Sequence, residues 1–257
     1  MTSVSGSGER ILAILDLFSE ERPEWLPDEM MEALGYSRPT LYRYLKTLKD
    51  AGFLAALPGA GYTLGPRVTE LDFLMRRADP LIAAGQDLLR DMAEDHRGAA
   101  FLVRWYRRKL LCVASEDRST EARSSYPRGR PMPMGRGAIS RAIAAFLPSR
   151  ERTRLIEDYL EEFTTLGIGT TRDAVLDELK RVRRAGVAVA WGEVTPGLVG
   201  VAAPILAADN VPIGALCLSR DAATTDAARL SEIRRVVAAA GQRISDRLDA
   251  NVRRQIA

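Results

Sequence analysis

The run from Tyr36 to Lys49 holds no acidic side chain and constrains the chain more than any other stretch. Leu41, Leu45 and Leu48 recur at helical spacing, so they share one face of a predicted helix. The other side of that helix carries positive charges and hydroxyl groups, namely Arg38, Tyr42, Arg43, Lys46 and Lys49. This pattern is typical of a helix that reads DNA, but an ordinary solvated helix shares it. The flanking sequence has to decide between the two.

Two further helices are expected before this run. Apolar residues at helical spacing predict a first amphipathic helix over Glu9–Glu20. A second helix should begin at Pro27, because proline fits a first turn and the two acids that follow lie near the positive end of the helix dipole. Gly35 stands where a helix C-terminus requires a positive φ, and Ser37 can cap the next helix. Helix, short turn and helix is the order of a helix-turn-helix.

A change of pattern after residue 52 predicts the wing of a winged helix. Phe53–Leu57 and Tyr62–Leu64 are short extended runs around a Pro/Gly turn, which indicates a β-hairpin. Residues 1–67 hold seven Lys and Arg against nine Asp and Glu, so this α-rich winged helix-turn-helix domain is not basic as a whole. Its positive charge is instead concentrated on the third helix, where DNA phosphates would lie.

A helical linker over residues 68–97 is expected to join this domain to a second one over residues 98–257. Its apolar pattern is interrupted at Pro80, which indicates two helices, and these are expected to supply part of a dimer contact. The chain's one histidine, His96, should end the second helix, and no metal-ligand partner stands at suitable spacing. Cys112 and Cys217 lie far apart in apolar runs, which argues against a disulfide or a zinc site and favours a reducing cytoplasm.

The second domain is expected to be an α+β fold with a largely antiparallel sheet, because strands and helices are segregated along the chain. The predicted strands are Ala99–Trp105, Leu110–Ala114, Val187–Trp191, Val199–Leu206 and Ile213–Ser219, with a polar loop over Ser115–Pro133. The predicted helices run from Gly135 to Leu147, from Ser149 to Phe163, around Val175–Val182 and from Thr225 towards the end of the chain. No signal peptide is visible, and prolines and polar residues interrupt the most apolar stretch, so no membrane association is expected.

Segments along nearly the whole chain resemble, in order, the IclR-type bacterial transcriptional regulators. They are Glu9–Leu17, Leu34–Leu48, Gly52–Leu54, Tyr62–Gly65, Pro133–Ala142, Leu179–Gly186, Pro196–Leu198, Ala202–Ile205 and Gly214–Ser219. The resemblance implies a winged helix-turn-helix followed by a GAF-like effector-binding domain, in a chain that forms dimers and possibly dimers of dimers. Tyr42 and Tyr44 depart from the family's usual recognition-helix pattern, which should alter the bases read and not whether DNA is bound.

The candidate DNA contacts are Ser37, Arg38, Thr40, Tyr42, Arg43, Lys46 and Lys49. Arg43 and Arg38 are expected to bond guanine edges in the major groove, and the two lysines to hold the phosphate backbone. Thr40 and Tyr42 would contact thymine methyl groups or phosphates, whereas Tyr44 flanks the leucine stripe and is expected to pack. Because a dimer presents two such helices to double-stranded DNA, the operator should be roughly palindromic.

The resemblance also implies a small-molecule pocket in the second domain. Its candidate lining residues are Arg136, Gly137, Ala138, Ile139, Ala190, Trp191, Leu198, Gly200, Cys217 and Ser219. Family members that bind small hydrophilic acids have polar residues at several of these positions, which favours a less polar or larger ligand here. Trp191 would then offer a stacking surface, and the helix start over Gly135–Gly137, with Arg136, would receive a carboxylate. Alternatively, Trp191 and Ile139 fill the core and leave no pocket.

Three functions follow from these observations. The first is a DNA-binding transcriptional regulator whose effector is an organic or aromatic acid, with a ligand-independent dimeric regulator as its alternative. The second is an enzyme, which the sequence disfavours because it has no Cys/His pairing, nucleophile elbow or phosphate loop; no catalytic residue, cofactor or metal is therefore expected. The third, a protein-binding module, is disfavoured by the acid-free helix. The effector, the operator and the sign of regulation are not encoded in any recognisable way.

Overall fold

The computed structural model describes residues 6–107, 109–119 and 126–256, with side chains described to residue 251. Its contacts divide the chain into two compact units, Met1–Ala78 and Asp79–Ala257. The division falls inside the segment that the sequence predicts as a linker. Within the described part of the chain, no helix combines the length and apolarity that crossing a membrane requires.

The first unit is a winged helix-turn-helix. Its elements are α1 (Ser7–Leu15), α2 (Pro27–Leu34), α3 (Arg38–Asp50), β1 (Leu54–Ala56), β2 (Tyr62–Leu64) and α4 (Pro66–Ala78). Pro27 occupies the first turn of α2, and Gly35 ends that helix with a left-handed φ of 66°, as the sequence predicts. The hairpin of β1 and β2 is antiparallel, and Trp25 adds an isolated bridge to Tyr62.

The first helix is shorter than the sequence predicts. It ends at Leu15 instead of reaching Glu20, because the chain tightens into turns in which the N–H of Leu17 bonds the carbonyl of Ile14. The indole of Trp25 then donates to the carbonyl of Leu17 at 3.0 Å, which removes that acceptor from any further helical turn. The core of the unit consists of Ile14, Met30, Tyr36, Leu41, Tyr44, Leu45, Leu48 and Leu54.

The second unit is an α+β domain. Its elements are α5 (Pro80–His96), β3 (Ala99–Trp105), β4 (Leu110–Asp117), β5 (Pro131–Met132), α6 (Ala138–Ala144), α7 (Ser149–Asp158), α8 (Leu160–Thr165), α9 (Arg172–Ala185), β6 (Ala188–Trp191), β7 (Leu198–Leu206), β8 (Pro212–Asp221) and α10 (Ala227–Ile256). The strands form one sheet in the order β5-β4-β3-β8-β7-β6, and every neighbouring pair is antiparallel.

Several predicted boundaries in this unit are wrong. The expected helix from Ser149 to Phe163 is two helices, because Tyr159 leaves the helical region with φ −124° and ψ 19°. The helix expected from Gly135 begins only at Ala138, since Gly137 has a φ of 88°. Strand β4 continues to Asp117, into the predicted polar loop, whose residues 120–125 lie outside the described part of the chain.

Helices cover both faces of the sheet and bury two separate cores. Helices α5 and α10 pack on one face, where Leu81, Leu89 and Ile244 are fully buried. Helices α6 to α9 pack on the other face, around Ile143 and Phe163. Each such side chain contributes roughly 1.5–3 kcal/mol when it is removed from water. On the second face the helices cover the sheet incompletely and leave a cavity at the start of α6.

Candidate functional site

Helix α3 separates its residues as the sequence predicts. Leu41, Leu45 and Leu48 are buried in the core of the first unit. Six of the seven candidate DNA contacts are exposed, Ser37, Arg38, Tyr42, Arg43, Lys46 and Lys49, and Thr40 is half-buried. At 3.6 residues per turn, Arg43 and Lys46 stand roughly opposite the leucine stripe. They are therefore the charges that project furthest from the domain.

No carboxylate of the described residues forms an ion pair with a positive charge on α3, although the charge of Asp28 acts on Arg38 from farther away. Within the described residues, Arg38, Arg43, Lys46 and Lys49 form no ion pair, unlike the surface residue Arg181, which lies 2.9 Å from Glu178. The guanidinium of Arg38 lies 5.6 Å from the ring centre of Tyr42. Hydrogen bonding with Tyr42 raises the pKa of Arg38, and the nearby charge of Asp28 acts in the same direction.

The start of α3 differs in one detail from the prediction. Ser37 is the N-cap residue, but its side chain accepts no backbone N–H. Its hydroxyl instead donates to Thr40 Oγ1 at 3.0 Å, and the second helical residue, Pro39, has no N–H to offer. The first turn of α3 therefore presents two hydroxyl groups beside Arg38.

Two tyrosines fix α3 against α1. Tyr44 is only 5 % exposed, and its ring meets that of Tyr36 edge-on with ring centres 6.1 Å apart. The Tyr36 hydroxyl donates to the carbonyl of Arg10 at 3.0 Å, and the hydroxyls of Tyr44 and Ser7 lie 3.5 Å apart. The expectation that Tyr44 packs therefore agrees with its position in the structure.

A cavity opens between the sheet and the start of α6 in the second unit. Its volume is about 60 Å³, several times what a single water molecule requires. Nine of the ten candidate pocket residues line it: Arg136, Gly137, Ala138, Ile139, Ala190, Leu198, Gly200, Cys217 and Ser219. Most of the lining surface is apolar, and Ile139 borders the space without filling it.

Trp191 does not line the cavity, so the expected stacking role is wrong. Side chains alternate along a strand, and β6 turns Ala188 and Ala190 towards the cavity face. Val189 packs on the opposite face of the sheet. Trp191 follows Val189 in this alternation and is 49 % exposed. The same alternation is present in the sequence and would have excluded Trp191 once Ala190 was placed in the pocket.

Sequence reasoning missed eight of the lining residues, which are Phe101, Tyr126, Met132, Pro133, Gly192, Glu193, Val194 and Thr195. Four of them belong to the turn between β6 and β7, and we call residues 192–197 the cavity loop. Gly192 and Gly197 delimit this loop with φ angles of 63° and 79°. An acidic residue in a glycine-bounded turn next to a pocket strand was the available signal for Glu193.

Glu193 ties the cavity loop to α6. Its carboxylate accepts two hydrogen bonds from Arg141, at 2.6 Å from Nη1 and 2.8 Å from Nη2, and a third from the Gly137 N–H at 2.9 Å. Arg141 is 2 % exposed and also donates to the carbonyl of Val189 at 2.7 Å. The Gly137 N–H, expected to receive a ligand carboxylate, is thus already bonded to a carboxylate of the protein. Arg136, the charged residue of that expected site, is exposed and forms no ion pair with a described residue.

The cavity thiol is not an anion or a nucleophile at neutral pH. Cys217 is buried, and burial raises the pKa of its thiol to about 12. Cys112, on β4, is also buried, and its thiol pKa is raised to about 11 for the same reason. Both cysteines are free, and both therefore behave as small apolar side chains.

Comparison with known families gives two matches that together cover most of the chain. The model of the IclR helix-turn-helix domain matches residues 7–58. The model described as bacterial transcriptional regulator IclR C-terminal matches residues 80–246. The first match contains α1 to α3, and the second contains the sheet and the cavity.

Individual relatives agree with these matches. The chain is 28 % identical over 242 residues to the HTH-type transcriptional regulator XynR of Escherichia coli K12, which covers 93 % of this chain and 95 % of that protein. It is 24 % identical over 237 residues to the HTH-type transcriptional regulator KdgR of the same organism, covering 92 % and 90 %.

Solved structures share the fold. A putative IclR transcriptional regulator from Silicibacter sp. TM1040 superposes with a TM-score of 0.81 at 23 % identity, covering 95 % of this chain and 96 % of that one. An IclR homologue from Microbacterium hydrocarbonoxydans, solved in complex with 4-hydroxybenzoate, superposes with a TM-score of 0.78 at 18 % identity, covering 95 % and 100 %.

Proposed function

The chain belongs to the IclR family of bacterial transcriptional regulators, and from that premise we propose how it acts. As a DNA-binding regulator, it would place α3 in the major groove, with Arg43 and Arg38 on guanine edges. Thr40 and Tyr42 would contact thymine methyls or phosphates. Lys46 and Lys49 would hold the backbone. A small organic acid in the cavity of the second unit would change the affinity for the operator.

One observation carries the DNA-binding part of the proposal. Four positive charges on the exposed side of α3 have no carboxylate partner among the described residues. When unpaired cations of the protein neutralise phosphates, the DNA releases its condensed counterions, which makes binding favourable and dependent on salt. Arg43 and Lys46 carry most of this argument, since they stand opposite the buried stripe.

Fluorescence anisotropy with DNA from upstream of the protein's own gene tests this assignment. Arg43→Ala should weaken binding by about 1–3 kcal/mol and relax the preference at one base position. Lys46→Ala should weaken binding to all sequences alike and reduce the slope of log affinity against log salt by about one. Arg181→Ala, which removes an exposed arginine from the second unit, is the control. Unchanged sequence preference in Arg43→Ala would contradict the base-reading role.

We also propose a homodimer on a roughly palindromic operator, which the surface of the first unit supports. Helix α4 buries no residue within that unit. Val68, Leu74 and Met75 are exposed, and with the half-buried Leu71 they form one apolar side of the helix, which we call the α4 stripe. Pairing of this stripe between two copies would present two α3 helices to DNA. A dimer of dimers would require a further surface.

The effector part of the proposal is supported by the open cavity and by a relative. The cavity is apolar with Arg136 exposed at its edge, an arrangement that suits a compact acid with an apolar body. The homologue from Microbacterium hydrocarbonoxydans, of the same fold, was solved with an aromatic acid, 4-hydroxybenzoate. Isothermal titration of the full chain against aromatic and aliphatic acids tests this role. A flat response across the panel would leave a regulator that acts without a ligand.

A further inference from the structure

The cavity contains a carboxylate that belongs to the protein itself. Glu193 and Arg136 are the charged side chains among the lining residues. The side chain of Glu193 is 12 % exposed, and both of its oxygens accept hydrogen bonds from Arg141, which is not among the lining residues. Arg136 is exposed and forms no ion pair with any described residue.

Exchange of Glu193 for a ligand carboxylate is disfavoured by the packing around it. Arg141 is buried, and a buried charge that loses its only counter-charge is strongly destabilising. The cavity loop also lies tight against the helix start, since a Cβ placed on Gly137 would come within 2.7 Å of Val194 Cγ2. No space therefore remains for a second carboxylate between Glu193 and Gly137.

The charges consequently leave one positive group for a ligand. Arg141 and Glu193 neutralise each other, and Arg136 remains. A ligand with one carboxylate can pair with Arg136 and direct its apolar body towards Phe101 and Leu198. A second anionic group on that ligand would find no further cation among the lining residues, and it would meet Glu193, which lines the cavity, rather than Arg141, which does not. Its desolvation would therefore not be compensated.

We propose that Glu193 determines ligand charge in this cavity, so that the effector is a compact monocarboxylate and matched dicarboxylates are rejected. The proposal rests on the effector function proposed above and specifies its ligand class. It assigns Glu193 a selective role through an unfavourable contact, in addition to its bond with Arg141.

Titration calorimetry of the full chain with two matched pairs of acids tests the proposal. Fumarate differs from crotonate, and terephthalate from 4-methylbenzoate, by a carboxylate in place of a methyl group. The wild type should bind the monocarboxylate of a pair at least about tenfold more tightly. Glu193→Gln should reduce this difference in affinity to about threefold or less. Arg136→Gln should weaken binding of the monocarboxylate by about tenfold.

The outcomes separate this inference from the proposed function. If the wild type binds mono- and dicarboxylates with equal affinity, the role of Glu193 is overturned and the effector function stands. The same conclusion follows if Glu193→Gln keeps the full discrimination of the wild type. A wild type that binds none of the four acids overturns the proposed ligand class. A flat response to the wider panel overturns the effector function as well.

A second measurement needs no effector. Glu193→Ala leaves Arg141 buried without its counter-charge, so formate should enter the vacated space and raise the unfolding midpoint by about 2–4 °C relative to chloride at equal ionic strength. The unfolding midpoint of the wild type should be the same in the two salts, because the carboxylate of Glu193 already occupies this space. Equal midpoints of Glu193→Ala in formate and chloride would show that this place does not hold a carboxylate, and would overturn the proposal.

Discussion

Tyr42 and Tyr44 lie two positions apart on α3 and face in different directions. Tyr42 is 41 % exposed beside Arg38, whereas Tyr44 is buried against Tyr36. The residue types are identical, so a comparison of the two positions separates the DNA-facing side of the helix from its packing side. The stripe of three leucines is sufficient to predict this difference from sequence alone.

Tyr44→Ala should therefore lower the free energy of unfolding by about 3–5 kcal/mol, the cost of removing a buried aromatic side chain. Tyr42→Ala should change it by about 0.5 kcal/mol or less, as exposed substitutions do, and should instead weaken operator binding. Urea denaturation and fluorescence anisotropy measure the two effects. Tyr44→Phe is the matched control, since it keeps the ring and loses only the hydroxyl beside Ser7. Equal losses of stability at both positions would contradict the orientation of α3.

His96 offers a separate test at the residue scale, in the second unit. It is the last residue of α5, it is buried, and its Nδ1 has no hydrogen-bond partner among the described residues. Burial, followed by the nearby charge of Arg229, lowers the pKa of the imidazole from 6.5. Arg220 lowers this pKa as well, whereas the carboxylates of Glu232 and Asp95 act in the opposite direction.

Stability of the second unit should consequently fall as the pH drops below about 6.5. The unfolded chain takes up a proton there while the folded histidine stays neutral, so the contribution is complete above pH 6.5 and is lost as the pH falls towards the lower folded pKa. The slope should not exceed about 1.4 kcal/mol per pH unit, since one proton is involved. Urea denaturation of wild type and His96→Gln between pH 7.5 and 5 measures it; parallel pH profiles would rule out this role.

At the scale of elements, helix and strand types were predictable wherever one local pattern decided them. The proline and glycine that delimit α2 and the leucines of α3 are such patterns, and the structure agrees with both. The end of α1 depends on the indole of Trp25, eight residues further on, which no periodicity shows. The break at Tyr159 likewise occurs inside a continuous helical pattern.

The part of the candidate cavity that the strands form was predictable from the sequence, whereas the cavity loop was not. The candidate residues on β6, β7 and β8 were selected by the resemblance to a known family, and all of them except Trp191 line the cavity. Glu193 meets Gly137 and Arg141 only after the chain has folded, across separations of 56 and 52 residues. Single-sequence patterns carry information over a few residues, so this contact could not be found before the fold was known.

The α4 stripe gives a prediction for an element. Leu74 is 54 % exposed on a helix that buries nothing in its own unit, so Leu74→Asp should leave the unit folded. If the stripe joins two copies, the substitution should weaken the dimer about tenfold or more, because a buried leucine contributes roughly 1.5–3 kcal/mol and a charge cannot replace it.

Sedimentation velocity over a range of protein concentrations measures the change. Thr69→Asp is the matched control, since it adds the same charge to the exposed opposite side of α4. A Leu74→Asp variant that sediments like the wild type at every concentration would exclude the α4 stripe from the dimer contact.

For the whole molecule, the candidate DNA contacts and the cavity lie in different units of the chain. An effector can therefore alter operator binding only if it binds the DNA-competent and incompetent states with different affinities. Linkage then requires the operator to change the affinity for the effector by the same factor. This equality holds whether the protein represses or activates.

Two substitutions in neighbouring strands test this coupling through the cavity. A Cβ on Gly200 would lie 3.8 Å from Cys217 Sγ and 3.9 Å from Ala138 Cβ, so Gly200→Val fits its strand and places the additional methyl groups in the cavity. Gly200→Val should weaken effector binding about tenfold or more and remove the response of operator binding to the effector. The affinity of the ligand-free protein for the operator should be unchanged. Trp191→Ala should change none of these, because Trp191 lies outside the cavity.

Two measurements determine the coupling in both directions. Anisotropy of labelled operator with and without the effector gives the change in operator affinity, and calorimetry of the effector with and without operator gives the change in effector affinity. An effector response retained in Gly200→Val would place the effector site elsewhere in the chain.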